Sequence, residues 1–181
     1  GDCAAARPLF EELVAVQRRT RGNDHPATLA AIGQLGTLLS RMGEHAEAQL
    51  LLEEALAGLR LALGDENGKT LDSMSRLAII HTRLKAIAKA RLLFEEAVVG
   101  WRRTRPAAPN TFTTISNLGT TVYNSGDITA ALALREEGAA SALRELGSEH
   151  PCTQQLTDTL AEMQQTIATF PSGTRAVGSL V

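Results

Sequence analysis

The chain reads as an all-α protein built from stacked, antiparallel helix pairs. Two observations predict this. The pair Glu53-Glu54 recurs as Glu11-Glu12, Glu95-Glu96 and Glu136-Glu137, at spacings of 42, 42 and 41 residues. A fixed period in this range marks a repeat whose units bury their apolar faces against one another. Between these marks apolar and small residues return every three or four positions, and no segment alternates apolar with polar as a strand would.

The elements follow in order. Gly1-Asp2 matches Gly43-Glu44 and Gly126-Asp127, with Lys85 at the same place in the third copy. The chain therefore starts at the turn inside a repeat, and a helix of a longer protein is expected before it. Eight helices are expected, over 3–20, 27–41, 45–62, 70–84, 87–104, 110–124, 128–146 and 152–168. Gly22, Gly64 and Gly147 fall at equivalent places between repeats, where glycine takes the left-handed conformation that ends a helix. Pro26 and Pro151 suit the first turn of the next helix, where a missing N–H costs nothing. Pro106 and Pro109 bracket the third loop, which is expected to be one residue shorter. Thr28, Thr70, Thr111 and Thr153 each open the following helix.

The inner face of the first helix of each pair carries Ile32, Leu35, Gly36 and Leu39, then Met74, Leu77, Ala78 and His81, then Ile115, Leu118, Gly119 and Val122. The second helices carry Ala48, Leu52 and Ala55, then Ala90, Phe94 and Ala97. Small residues at fixed points let two helices approach, and large ones fill the space beside them. The fourth copy departs: Arg135 replaces Leu52 and Phe94, and Gly138 replaces Ala55 and Ala97. The last helix shows Gln154, Gln155, Asp158, Glu162, Gln164 and Gln165, a polar surface that suits a terminal cap. The repeats are expected to fill 1–170, with 171–181 a flexible tail.

Composition excludes several classes. A chain of 181 residues is one domain-sized unit with room for a continuous core. Aromatic residues make up only 3 %, so Leu, Ala, Ile and Val must supply the packing. The net charge of −2 gives no basic field for nucleic acid or an acidic membrane. No run approaches the roughly 20 apolar residues that span a bilayer, so direct membrane insertion is not expected. Cys3 and Cys152 sit at opposite ends of the sequence and are not expected to bond. The lack of a disulfide framework points to a reducing, cytoplasmic setting.

Candidate chemistry dissolves on inspection. Gly64 to Thr70 resembles a phosphate-binding loop, but three residues rather than four separate Gly64 from Gly68, and a helix rather than a strand precedes it. His25 and His150 occupy equivalent loops about three repeats apart and cannot share a metal. His150 and Cys152 offer two ligands where a structural zinc needs four. His81 holds a position filled elsewhere by Leu39 and Val122 and is read as a hydrogen-bonded packing residue, with a pH-sensitive groove residue as the alternative. Trp101 aligns with Gln17, Leu59 and Ala142 and is read as packing, with an exposed anchor for a partner as the alternative. The glutamate pairs are solvated or paired with arginine. No nucleophile is matched with a base, so the chain is read as non-enzymatic, without metal or cofactor.

The segments Gly22-Asn23-Asp24-His25-Pro26-Ala27-Thr28-Leu29, Gly147-Ser148-Glu149-His150-Pro151 and Ser116-Asn117-Leu118-Gly119, with the Glu-Glu-Ala blocks at 53–55 and 95–97, carry a family resemblance. The chain resembles tetratricopeptide-repeat proteins, and its 42-residue form is similar to that of kinesin light chains. The resemblance covers about 1–165 and implies a right-handed α-solenoid of stacked antiparallel helix pairs, with the first helix of each pair on the concave side. Gln34, Thr37, Arg41, Asp72, Arg76, Ile79 and Arg83 should then line a groove, followed by Thr113, Asn117, Thr120, Tyr123 and Asn124 and by Asp158, Glu162 and Gln165. Asn117 matches a position where such repeats hold a peptide backbone. Arginine binds carboxylate in a bidentate way, so an extended, acidic peptide segment of a protein partner is the expected ligand. Leu9, Phe10, Leu13 and Val14 of the first helix are expected to form an exposed apolar interface. The expected function is a non-catalytic adaptor. The alternatives are a structural subunit held by its N-terminal and convex faces, and a regulatory module of a multidomain signalling protein.

Overall fold

The computed structural model describes Cys3 to Thr169, in which eight helices and no strand occur. They are α1 (Cys3–Arg21), α2 (Pro26–Arg41), α3 (His45–Leu63), α4 (Gly68–Arg83), α5 (Ile87–Thr104), α6 (Pro109–Asn124), α7 (Ile128–Leu146) and α8 (Pro151–Thr169). The Gly1-Asp2 turn and the tail 171–181 lie outside the described residues. The chain divides after Ala86 into two compact units, α1–α4 and α5–α8.

All four linkers between repeats contain four residues: 22–25, 64–67, 105–108 and 147–150. The expectation of a shorter third loop is therefore corrected. The missing residue comes off the end of α5, which has 18 residues where α3 and α7 have 19. Each linker begins alike, with Gly22, Gly64, Arg105 and Gly147 donating their N–H to the carbonyls of Arg18, Arg60, Trp101 and Leu143. Two linkers are tied by a threonine hydroxyl from the next helix: Thr28 Oγ1 donates to Gly22 O at 2.8 Å and Thr111 Oγ1 to Arg105 O at 2.6 Å. The next helix is capped from the end of the linker. His25 Nδ1 accepts from Ala27 N, Asn67 Oδ1 from Lys69 N and His150 Nδ1 from Cys152 N. Ala108, at the same place, makes no side-chain cap. These partners explain His25, His150 and the Gly64–Thr70 loop as local structure.

Inside the repeats the turn needs a left-handed residue. Gly43 and Gly126 take φ of 88° and 92°, and Lys85 is forced to 59° at the equivalent position. The N–H of Glu44 and Ala86 then reach back to Leu39 O and His81 O.

Packing within a pair rests on close approach. α2 lies on α3 so tightly that a Cβ added at Gly36 would stand 3.0 Å from Leu52 Cγ and 3.3 Å from Ala48 O. Gly119 meets Arg135 Cγ and Ala131 O of α7 at 3.0 and 3.1 Å in the same way. Phe94, Ala48, Leu52, Ala55 and Ala90 are fully enclosed. Trp101 is 2 % exposed, which removes the anchor reading, and His81 is buried as a packing residue.

Arg135 is the exception in this core. It is 7 % exposed, and its stem fills the space that Leu52 and Phe94 fill elsewhere. Its Nη1 donates to Thr159 O of α8 and its Nη2 to Thr120 Oγ1 of α6, both at 2.7 Å, while Nε is buried without a partner. Loss of water lowers its pKa from the ordinary arginine value, and the nearby Glu162 only partly offsets this.

Substitutions at three of these residues test the contacts. Lys85→Gly should raise stability by about 1 kcal/mol, because the left-handed conformation costs a side-chain-bearing residue that much; a fall in the thermal midpoint would refute the strain. His25→Ala should cost about 1 kcal/mol by removing a cap, and His25→Asn should restore it, as Asn67 does in the next repeat. Arg135→Leu should match or exceed the wild type in chemical denaturation, since buried charge exchanged for apolar volume is commonly neutral or stabilising. Arg135→Ala should lose about 2 kcal/mol to the cavity.

Candidate functional site

In the first unit α2 and α4 run side by side, and their contacts define a polar face. Arg76 Nη1 donates to Thr37 Oγ1 at 3.2 Å, and Arg83 Nη1 donates to Ser40 O at 3.3 Å. Thr37 in turn donates to Gly33 O, one turn back on its own helix. Arg76 also lies 3.7 Å from Asp72 one turn earlier. Gln34, Arg41 and Arg83 are exposed, while Thr37, Asp72, Arg76 and Ile79 are half-buried. The structure thus joins α2 and α4 through Thr37–Arg76 and Ser40–Arg83 and places Gln34, Asp72 and Arg76 around one pocket.

An open pocket sits at one end of this face. Leu29, Ala30, Gly33 and Leu59 form its apolar part, and Gln34, Lys69, Asp72, Ser73 and Arg76 its polar part. Ser73 was not legible as a site residue, because its register position is held by Ala31 in α2 and by Leu156 in α8. Its hydroxyl is buried without a hydrogen-bond partner, whereas most helical hydroxyls here, such as those of Thr37, Ser75 and Thr82, return to the carbonyl four residues back. An unmade hydrogen bond in so enclosed a position costs folding free energy.

The electrostatics of the face are one-sided. Lys69, Arg41, Arg76 and Arg83 stand against the single carboxylate of Asp72, and Lys69, Arg41 and Arg83 form no ion pair among the described residues. The side formed by α1 and α3 is balanced instead. There Arg18 pairs with Glu54 at 2.6 Å and Arg7 with Glu11 and Glu44 at 2.8 Å. Arg91 pairs with Glu95 and Arg102 with Glu137 on the corresponding helices of the second unit, so one glutamate of each repeated pair serves as an arginine partner.

In the second unit the expected positions separate. Asn117 and Asn124 are half-buried on α6. Thr120 is occupied, since its hydroxyl accepts from Arg135 and donates to Ser116 O. Tyr123 is 3 % exposed and is not a surface residue, which corrects the expectation. Its register position is that of Ser40, 5 % exposed, and so faces inward.

The apolar face of α1 also needs one correction. Leu9 is 67 % and Leu13 37 % exposed, and Phe10 is half-buried, but Val14 is 7 % exposed. Val14 shares its register with Leu56, Val98 and Ala139, all buried, and Ala139 packs with Leu156 of the following helix. In α1 this position faces α2.

Among the described residues no three His, Cys, Asp or Glu side chains cluster as metal ligands, and no helix is long and apolar enough to cross a membrane. Cys3 and Cys152 are free thiols.

Comparison with known proteins agrees with this architecture. None of the curated proteins compared matches the chain in sequence. Among solved structures, the Podosopora anserina protein described as a kinesin light chain of nearly identical TPR-like repeats is 26 % identical, with a TM-score of 0.77 over 96 % of this chain and 82 % of that one. A single-substitution form of it gives 0.78 at the same identity and coverage. BtubC (BKLC) from P. vanneervenii, 18 % identical, is similar in fold at a TM-score of 0.69 over 100 % of this chain and 80 % of its own. The fold is an all-α repeat solenoid. Two tetratricopeptide-repeat family models match, one over residues 1–60 and the other over 70–105 and 111–151, and the chain belongs to the tetratricopeptide-repeat family.

Proposed function

We propose that the chain is a non-catalytic adaptor that binds an extended acidic peptide on the face of α2 and α4. A protein–protein interaction scaffold is the general role of tetratricopeptide repeats. The finer reading rests on one observation above the others: Lys69, Arg41 and Arg83 form no ion pair among the described residues, on a face where Asp72 is the carboxylate beside them. Unmatched cations on one face favour an anionic partner and speed its encounter. The α2/α4 register supplies Gln34 and Thr37 for backbone contacts, and the half-buried Ile79 offers an apolar surface between Arg76 and Arg83. Asn117 and Asn124 of α6 are proposed to serve the same purpose in the second unit. The free thiols accord with a reducing, cytoplasmic setting.

A second reading, a subunit of a larger assembly, is favoured by the exposed Leu9 and Leu13.

Selection from a random peptide library displayed on phage distinguishes these readings. The wild type should enrich acidic sequences, and the double variant Arg76→Glu, Arg83→Glu should lose them, with affinity for a selected peptide falling at least about tenfold. Raising the salt concentration should weaken the wild-type complex. If both proteins enrich the same peptides, or neither enriches any, the α2/α4 face is not the binding surface.

A further inference from the structure

The pocket beside α2 and α4 is open at a place that the second unit fills. The two places compare residue by residue, because α2, α3 and α4 correspond to α6, α7 and α8: Thr28 to Thr111 and Thr70 to Thr153 both span 83 residues. In the second unit Phe112, Ala142 and Leu156 belong to one buried cluster, with Cys152 packed against it and Thr113 Oγ1 3.7 Å from Cys152 Sγ. In the first unit Leu29 stands for Phe112, Ser73 for Leu156, Ala30 for Thr113 and Gly33 for Ser116. Each is the smaller residue. Leu59, for Ala142, is the exchange in the other direction. Gly58 adds to the opening, because Leu29 Cδ2 lies 2.5 Å from where a Cβ on Gly58 would stand, so this leucine sits close against α3. What remains is a cavity of about 150 Å³ with Leu29, Ala30, Gly33 and Leu59 as its apolar part. An apolar space of this size takes a molecule about as large as benzene.

The polar part of the pocket says what chemistry that molecule carries. Lys69 stands where the second unit has Cys152, and Arg76 where it has Thr159. Lys69 is exposed and forms no ion pair among the described residues. Arg76 is held in place by Thr37 Oγ1 at 3.2 Å, with Asp72 3.7 Å away. Two cations above apolar walls suit a carboxylate joined directly to an apolar body. An internal peptide residue does not combine the two, since the stems of Asp and Glu are short and the bulky apolar side chains are uncharged. We propose that this pocket binds a small monocarboxylic acid with a compact apolar body, the body lying against Leu29 and Leu59 and the carboxylate between Lys69 and Arg76. The assignment goes beyond the peptide reading but shares Arg76 with it, so such an acid and a bound peptide compete.

The test is titration of the whole chain with benzoate, followed by the backbone amide resonances of α2 and α4, with benzamide as the uncharged match in shape. Benzoate should bind saturably with a dissociation constant of about 1 mM or tighter, and benzamide at least about fivefold more weakly. Ser73→Leu places in α4 the residue that α8 has at this position. It should fill the cavity, remove the unmade hydrogen bond of Ser73, raise the thermal midpoint and abolish benzoate binding. Ala30→Leu serves as the second filling variant should Ser73→Leu lose helix. Arg76→Gln should weaken benzoate about tenfold and leave benzamide unchanged. Shifts that fail to saturate by about 10 mM benzoate, or that benzamide reproduces at equal strength, overturn the proposal. So does benzoate binding that survives both Ser73→Leu and Ala30→Leu. Arg83 is not among the residues that line the pocket. Arg83→Glu should therefore weaken an acidic peptide and leave benzoate bound, which reports on the two readings separately. A loss of benzoate at Arg83→Glu equal to that at Arg76→Gln puts the acid on the open face and also overturns the proposal.

Discussion

The close approach of paired helices is the constraint on which the rest of this molecule depends. A helix pair can bring its backbones together only where side chains are nearly absent, and here Gly36 lies over Ala48 O while Gly119 lies over Ala131 O. Once those contacts are set, the neighbouring large residue has a fixed volume to fill, and Leu52 fills it beside Gly36 with no exposure at all. Interiors packed this densely leave little freedom in the position of one helix relative to its partner. The polar side chains on the outer surface of α2 therefore inherit a defined position, and α4, bonded to it through Arg76 and Arg83, shares that frame.

The same constraint explains why so much was legible in advance. Glycine, alanine and threonine at a regular period are demanded by geometry, so they report the geometry, and all eight helices lie within two residues of the spans read from the period. The failures have separate origins. Tyr123 and Val14 are buried because of where they point around the helix, and an apolar or amphipathic residue beside the core stripe is compatible with either side. The shortened element was misplaced because a deletion of one residue looks the same in sequence whether a loop or the end of a helix loses it. Ser73 was invisible for a further reason: what distinguishes it is an unmade hydrogen bond, a property of its surroundings rather than of the residue.

Arg135 shows how a repeat absorbs a residue that breaks its own rule. The guanidinium reaches out of the second helix of its pair to the layer formed by α6 and α8, and finds a hydroxyl on one and a carbonyl on the other. Its aliphatic stem meanwhile does the packing of a leucine against Gly119. The arrangement ties α8, a helix with only three buried residues, to the body of the second unit by a directional contact.

The short reach of the tertiary bonds has a kinetic meaning. Arg18 to Glu54, Thr37 to Arg76, Ser40 to Arg83 and Arg102 to Glu137 close separations of only 36, 39, 43 and 35 residues. A chain whose stabilising contacts are this local closes only small loops on the way to its native state, and low contact order goes with rapid folding. Structure can also begin at any repeat and spread to its neighbours. Such a molecule would emerge from synthesis one helix pair at a time, each able to form soon after its second helix is complete.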